Sequence, residues 1–187
     1  GKGAVADMIK GVVHGLRADG SDDTFSEPDV AVTYAPASAI HTRGTDCTFP
    51  VQCHTPKTVL VSEFKTFQGA GNGYHTKEYR YGDYRVHAQG HGSLGIGATI
   101  VNDTTLNRKS ISYRDNHTFD STRNAFPFIG MPIYSRESVM SGDEEIFATE
   151  MFYQHDAMFE SGSGLSYMRP IWWKPTTCIS FRRYSTA

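Results

Sequence analysis

The chain has 187 residues, a net charge of -2 and a pI of about 6.5, a size that suits one domain with its own core. It carries no basic arm and no apolar run of the length a membrane-crossing helix needs, so neither a strong electrostatic grip on nucleic acid nor a helical membrane span is expected. Five leucines stand against eleven Phe and ten Tyr, with abundant Thr, Ser and Gly; leucine favours helices and the aromatic and β-branched residues favour strands, so the balance points to an all-β, or mainly β, protein.

Taken in order, the chain opens with a predicted amphipathic helix over residues 3–16. Val5, Met8, Ile9, Val12 and Leu16 recur at helical spacing and form one apolar stripe, weakened by Gly3 and Gly11. The run RADGSDD ends it. From Asp22 to Pro56 the sequence is polar and rich in turn formers, with a strand expected in DVAVTY, and reads as an extended arm. The domain division is therefore 1–56 for helix and arm and 57–187 for a β-sandwich. Beyond Pro56, KTVLVSEFKTF, TKEYRYGDYRVHA, IGATIVN and RKSISYR read as successive strands separated by turns. AFPFIGMPIY is apolar but carries two prolines, which suits an edge or an irregular segment. A second short helix is favoured near 142–154, where Ser141 and Glu144 make an S-x-x-E capping box, although Ile146, Ala148 and Phe152 also fit a strand. SYMRPIWW and TTCISFRRY close the chain as strands. About eight short strands imply a two-sheet sandwich or jelly roll.

Three cysteines fit no disulfide framework, and C-x5-C is not a dependable zinc spacing. Cys47 and Cys53, in CTFPVQC, could close a small loop that leaves Cys178 over; free thiols are the expectation. Asn102 (NDT) and Asn116 (NHT) head glycosylation sequons, which matter only for a secreted eukaryotic protein.

The stretch from His75 to Ile100 concentrates the residues that could carry chemistry. His87 and His91 would share a helix face, but in an extended strand residues four apart stand about 13 Å from each other, too far for one ion; they read as exposed, and neither metal nor cofactor is expected. Strand alternation sets Tyr79, Tyr81, Arg85 and His87 on one face, expected to be exposed and to form a binding surface, and Tyr84 and Val86 on the other, expected in the core. YRYGDYRVHAQGHGSLGIGATIVN, with GYHT ahead of it, resembles a strand pair of glycoside hydrolase family 16, the laminarinase and lichenase group; the resemblance covers residues 73–102. It implies a sandwich with a sugar cleft lined by a Tyr-Gly-x-(Tyr/Phe)-Glu strand and a Glu-x-Asp-x-Glu motif downstream. The chain departs from the pattern at Arg85, where the family has Glu. Ser110, Ser112 and Arg114 stand where the acids belong, and retaining hydrolysis needs two carboxyls about 5 Å apart. The chain is therefore expected not to be an enzyme, and what the resemblance leaves is a binding sandwich.

Other motifs are weaker. HTRGT at 41–45 resembles the arginine motif of ADP-ribosylating toxins but lacks the Ser-Thr-Ser strand. Ser163 in GSGLS is out of frame for a nucleophile elbow, and GHGSLGIG lacks the Lys-Ser/Thr that closes a phosphate cradle. Asp143, Glu144, Glu145 and Glu150 suit a helix N-terminus.

Three function classes follow. The first is a self-assembling shell subunit such as a viral coat jelly roll, located in a virion or outside the cell, with like or related subunits as partners and the N-terminal helix acting in assembly. The second is a lectin-like, glycan-binding sandwich. The third is a membrane-active β-sandwich toxin with an amphipathic N-terminal helix like that of the actinoporins.

Overall fold

The computed structural model describes residues 8–12, 29–69, 72–142, 144–153, 155–159, 168–173 and 176–180, the last three stretches by their backbone alone. In chain order the elements are β1 (Gly11–Val12), β2 (Val30–Pro36), α1 (Ala37–Ile40), β3 (His41–Thr42), β4 (Val51–His54), β5 (Val59–Phe67), β6 (Tyr74–His87) and β7 (Gly92–Asp103). They continue with β8 (Arg108–Arg114), β9 (Pro132–Ser141), β10 (Glu144–Phe152), β11 (His155–Phe159), β12 (Met168–Trp173) and β13 (Thr176–Ser180). The protein is mostly β and built on one open sheet, in the order β1-β2-β5-β6-β7-β8-β9-β10-β13; β11 and β12 form a separate two-stranded ladder. Pairing is antiparallel except for β3, which runs parallel to β6.

The organising element is β6. One edge pairs with β7 from Lys77 to His87. The other edge is shared: β5 takes Tyr74 to Glu78, β3 takes Tyr81 and Gly82, and β4 takes Tyr84 to His87. Residues 37–58 thus leave the end of β2, run along the second half of β6 and return to begin β5.

Both predicted helices give way to strands where the chain is described. Gly11 and Val12 form β1, opposite Ala31 and Val30, and the carbonyl of Lys10 accepts the N–H of Val32 at 2.8 Å. A short run holding a glycine and two valines does not sustain a helix, and the β2 edge offers its backbone partners instead. Of the expected stripe, Ile9 and Val12 are exposed, and Val5 and Leu16 lie outside the described residues. Residues 144–152 form β10, hairpinned to β9 through Gly142 at φ 61°. The Ser141–Glu144 pair marks this turn, not a helix cap: Glu144 stands opposite Ser141 in the ladder.

Burial is uneven. Along β5, flanked on both sides by other strands, all nine residues are partly buried and none fully. Ala37, Ile40, Cys53, Arg85, His87, Leu94, Asp115, Asn116 and Phe126, from α1, β4, the β6–β7 turn end and the loop after β8, are buried, and so are Ser138 on β9 and Ala148 on β10.

Candidate functional site

At the turn end of β6 the backbone of Asp83 adopts φ 55°, an unusual conformation for a residue within a strand and one that Asp tolerates better than most. Its carboxylate accepts from Arg85 Nε at 2.8 and 3.0 Å, while Arg85 Nη2 reaches both oxygens of Asp46 at 2.9 and 3.0 Å. The Arg85 side chain is 11 % exposed. Burial alone would lower its pKa, but the two carboxylates outweigh this and keep the guanidinium charged. In return Arg85 holds the Asp46 carboxyl below its ordinary range.

Two loops close over this clamp. On one side is the segment between β3 and β4, tied by a disulfide between Cys47 and Cys53, whose Cα atoms are 5.6 Å apart. The expectation of free thiols there is corrected, since the β4 register brings Cys53 directly opposite Arg85 and the loop folds back onto Cys47. On the other side Asn116 donates from Nδ2 to the Asp83 carbonyl at 2.6 Å and is 1 % exposed. The approach is close enough to require glycine below it: a Cβ on Gly97 would sit 2.7 Å from both Asn116 Nδ2 and Asp83 Oδ2. Asp115 anchors the same loop by accepting from the N–H groups of His117 and Thr118 and from the Thr118 hydroxyl. These bonds outweigh its burial and hold its carboxyl below the usual range. Beyond it, His87, His91, Phe119 and Phe126 gather their rings, with His87 edge-on to His91 at 4.6 Å and to Phe126 at 5.5 Å.

The exposure expected for Arg85 and His87 is therefore wrong: they are 9 % and 7 % exposed, whereas Tyr84 and Val86 are only half-buried. Alternation itself is intact, since Arg85 and His87 do share a face. What the sequence could not show is that this face, at this end, lies under two loops. Tyr79 and Tyr81, on the same face nearer β5, are half-buried, and the Tyr81 hydroxyl donates to the Val61 carbonyl at 3.0 Å. Burial raises the Tyr81 pKa.

His41 completes the cluster. Its Nε2 accepts the N–H of Tyr84 at 3.1 Å, which places the ring proton on Nδ1, a buried atom with no hydrogen-bond partner. Burial, opposed by the nearby Asp83, lowers its pKa.

Asp46, Cys47, Cys53 and Asp83 bring donor atoms within 4.8 Å of one another, but the two sulfurs are bonded together and both carboxylates are committed to Arg85. Beside the clamp lies a cavity of about 620 Å³ lined by Arg43, Phe49, Gln52 and His54, with Phe49 73 % exposed.

A different arrangement occupies the opposite face of the sheet. Gly82, Ala98, Tyr113, Tyr134 and Phe152 stand in one cross-strand row from β6 to β10. Tyr113 and Tyr134 rings are 5.7 Å apart and Tyr134 and Phe152 rings 5.0 Å; Tyr113 is 43 % and Phe152 48 % exposed. In the adjacent row Ile100 and Ile111 continue the apolar band up to Arg136, which pairs with Glu145 and with Glu150 at 2.7 Å; Tyr134 donates to Glu150 at 2.9 Å. This band was not anticipated. Its only sequence signal is aromatic residues at alternate strand positions, which becomes a row only once the register is fixed.

Set beside models of known protein families, curated proteins and solved structures, the chain matches none. Fold and site define a mostly β protein on one open antiparallel sheet, with a packed cluster at the turn end of β6 and exposed aromatic rings on the opposite face.

Proposed function

We propose that the chain is a non-enzymatic structural protein that self-assembles, as the coat subunit of a shell does. One observation carries this reading: every residue of β5, an interior strand of the open sheet, is only partly buried, and Tyr113 and Phe152 on neighbouring strands are exposed. An antiparallel sheet gains its stability by burying at least one face, and a sheet that leaves apolar side chains only partly buried over several strands is suited to burial against another subunit. The two-sheet sandwich expected from the strand count belongs to this proposal: the second layer comes with assembly. The Cys47–Cys53 bridge supports a place in a virion or outside the cell, where disulfides persist. The absence of an acidic pair at Ser110, Ser112 and Arg114, on β8, supports a role without glycoside hydrolysis.

The native mass of the purified protein, with negative-stain imaging, tests the reading. A closed particle or a defined oligomer of the 20.7 kDa chain is expected. A monomer at all concentrations, whether retained on immobilised glucan or causing leakage from lipid vesicles, overturns it in favour of a glycan-binding or membrane-active protein.

A further inference from the structure

We propose that the donor atoms gathered around Arg85 form a zinc-class metal site once the bridge between Cys47 and Cys53 is reduced, with Cys47, Cys53, Asp46 and Asp83 as its ligands. The proposal goes beyond the self-assembly reading and does not depend on it. Donor atoms of these four residues already lie within 4.8 Å of one another. Three parts of the fold bring them together. The β4–β6 ladder sets Cys53 opposite Arg85. The loop between β3 and β4 supplies Asp46 and Cys47. The backbone of Asp83, at φ 55°, puts its carboxylate on the same guanidinium. Space is kept for the set as well. A Cβ on Gly44 would stand 2.5 Å from Asp83 Oδ1 and 3.1 Å from Cys53 Sγ, so a glycine there leaves that carboxylate and that sulfur side by side. Spacing along the chain does not show this set, because Asp83 enters it only through the register.

With the bridge closed, the sulfurs are poor ligands and one guanidinium serves both carboxylates. A dithiol reductant changes the set. It gives up two electrons and two protons, forms its own disulfide, and leaves Cys47 and Cys53 as thiols; the metal then takes both as thiolates and releases the two protons. Two thiolates and two carboxylates carry more negative charge than Arg85 balances, and a divalent cation supplies the remainder. Thiolate sulfur beside carboxylate oxygen in a set of four suits Zn²⁺, whereas Ca²⁺ and Mg²⁺ take oxygen ligands. The geometry is close to what that ion needs. Tetrahedral zinc with Zn–S of about 2.3 Å puts two sulfurs about 3.8 Å apart, which side-chain rotation reaches from Cα atoms 5.6 Å apart. Arg85 need not leave. A carboxylate has about four lone-pair sites, so Asp46 and Asp83 can each bind the ion through one oxygen and keep an Arg85 N–H on the other, as ligating carboxylates keep their outer hydrogen bonds. The ion also has a way in: the Asp46 side chain is 71 % exposed, and Cys47 and Cys53 line the cavity of about 620 Å³.

The test is a Co²⁺ titration of the full chain under argon, after reduction with dithiothreitol and its removal, with Zn²⁺ as competitor. The reduced wild type should bind one Co²⁺ per chain, with the ultraviolet charge-transfer band of a cobalt–thiolate bond and the strong visible bands of tetrahedral cobalt, and Zn²⁺ should abolish both. The oxidised chain should show neither. Cys47→Ser combined with Cys53→Ser should remove the signal, and Asp46→Asn and Asp83→Asn should each weaken binding about tenfold or more. A reduced chain that binds no Co²⁺, folded or not, ends the proposal. Binding that survives the double cysteine variant belongs to Cys178 or to the histidines and overturns it. Binding unchanged in both aspartate variants is that of a bare dithiol and overturns the four-ligand site. A readout without variants keeps the test intact should a substitution unfold the sheet. In the reduced wild type, Zn²⁺ should slow alkylation of Cys47 and Cys53 about tenfold or more, mapped by mass spectrometry with Cys178 of the same chain as reference; equal rates with and without Zn²⁺ overturn the proposal.

Discussion

The turn end of β6 and the aromatic row on the opposite face obey the same strand alternation and end in opposite states. At the turn end, Arg85 and His87 are buried although one is a cation and the other a polar ring. On the opposite face, toward the ends of β8 and β10, Tyr113 and Phe152 are nearly half exposed although both are aromatic. The difference lies in what the connecting loops do. The β3–β4 loop and the loop after β8 are long enough to fold over one face at one end, and the charges they meet there are paired. The short turn between β7 and β8, by contrast, does not reach back over the sheet. Burial is thus a property of the connections, and side-chain polarity follows only where nothing covers the strand.

Substitutions at the two regions should separate sharply. The largest effect is expected from Arg85→Ala, which leaves Asp83 without its cation under the loops. Breaking a largely buried pair costs about 3 kcal/mol, a fall in Tm of roughly 6–12 °C for a chain of this size, read by thermal denaturation. Next is Gly97→Ala: the added Cβ would stand 2.7 Å from Asn116 Nδ2, and overpacking of that kind costs about 1–3 kcal/mol. An intact fold with unchanged Tm would show that the loop after β8 does not press on β7. Replacing both Cys47 and Cys53 by Ala should cost about 2 kcal/mol, small because a bridge spanning six positions removes little chain entropy, measured as a shift in the urea midpoint at constant slope.

On the open face, Arg136→Met should cost only about 1 kcal/mol, because its pairs are part-exposed and screened. A loss as large as that at Arg85 would erase the contrast between the regions.

The smallest expected effect is a pH slope. His41 has a folded pKa below its ordinary 6.5, so the unfolded chain binds its proton first as pH falls. The stability it contributes is complete above that value and declines as pH drops below it towards the folded pKa. Protonation of Nε2 would also remove the acceptor for the Tyr84 N–H. Stability measured between pH 7 and pH 5 should fall in the wild type and fall less in His41→Gln. Below about pH 4 a second decline is expected, because Asp103 and Asp115 have folded pKa values below the ordinary carboxyl value.

Composition and alternation alone determined that the protein is mostly β, because few leucines and many β-branched and aromatic residues leave little else for the backbone to adopt. They also placed the strands of KTVLVSEFKTF, TKEYRYGDYRVHA and RKSISYR, and set Arg85 and His87 in one phase, since the two-residue period is local. Three things had to come from tertiary structure. The apolar stripe at Met8, Ile9 and Val12 met a free strand edge, which competes with a marginal helix for the same backbone groups. The pairing of Cys47 with Cys53 depended on how the loop folds over β6. And the row of Tyr113, Tyr134 and Phe152 exists only through the register of β8, β9 and β10, which brings together residues far apart in sequence that no local period can align.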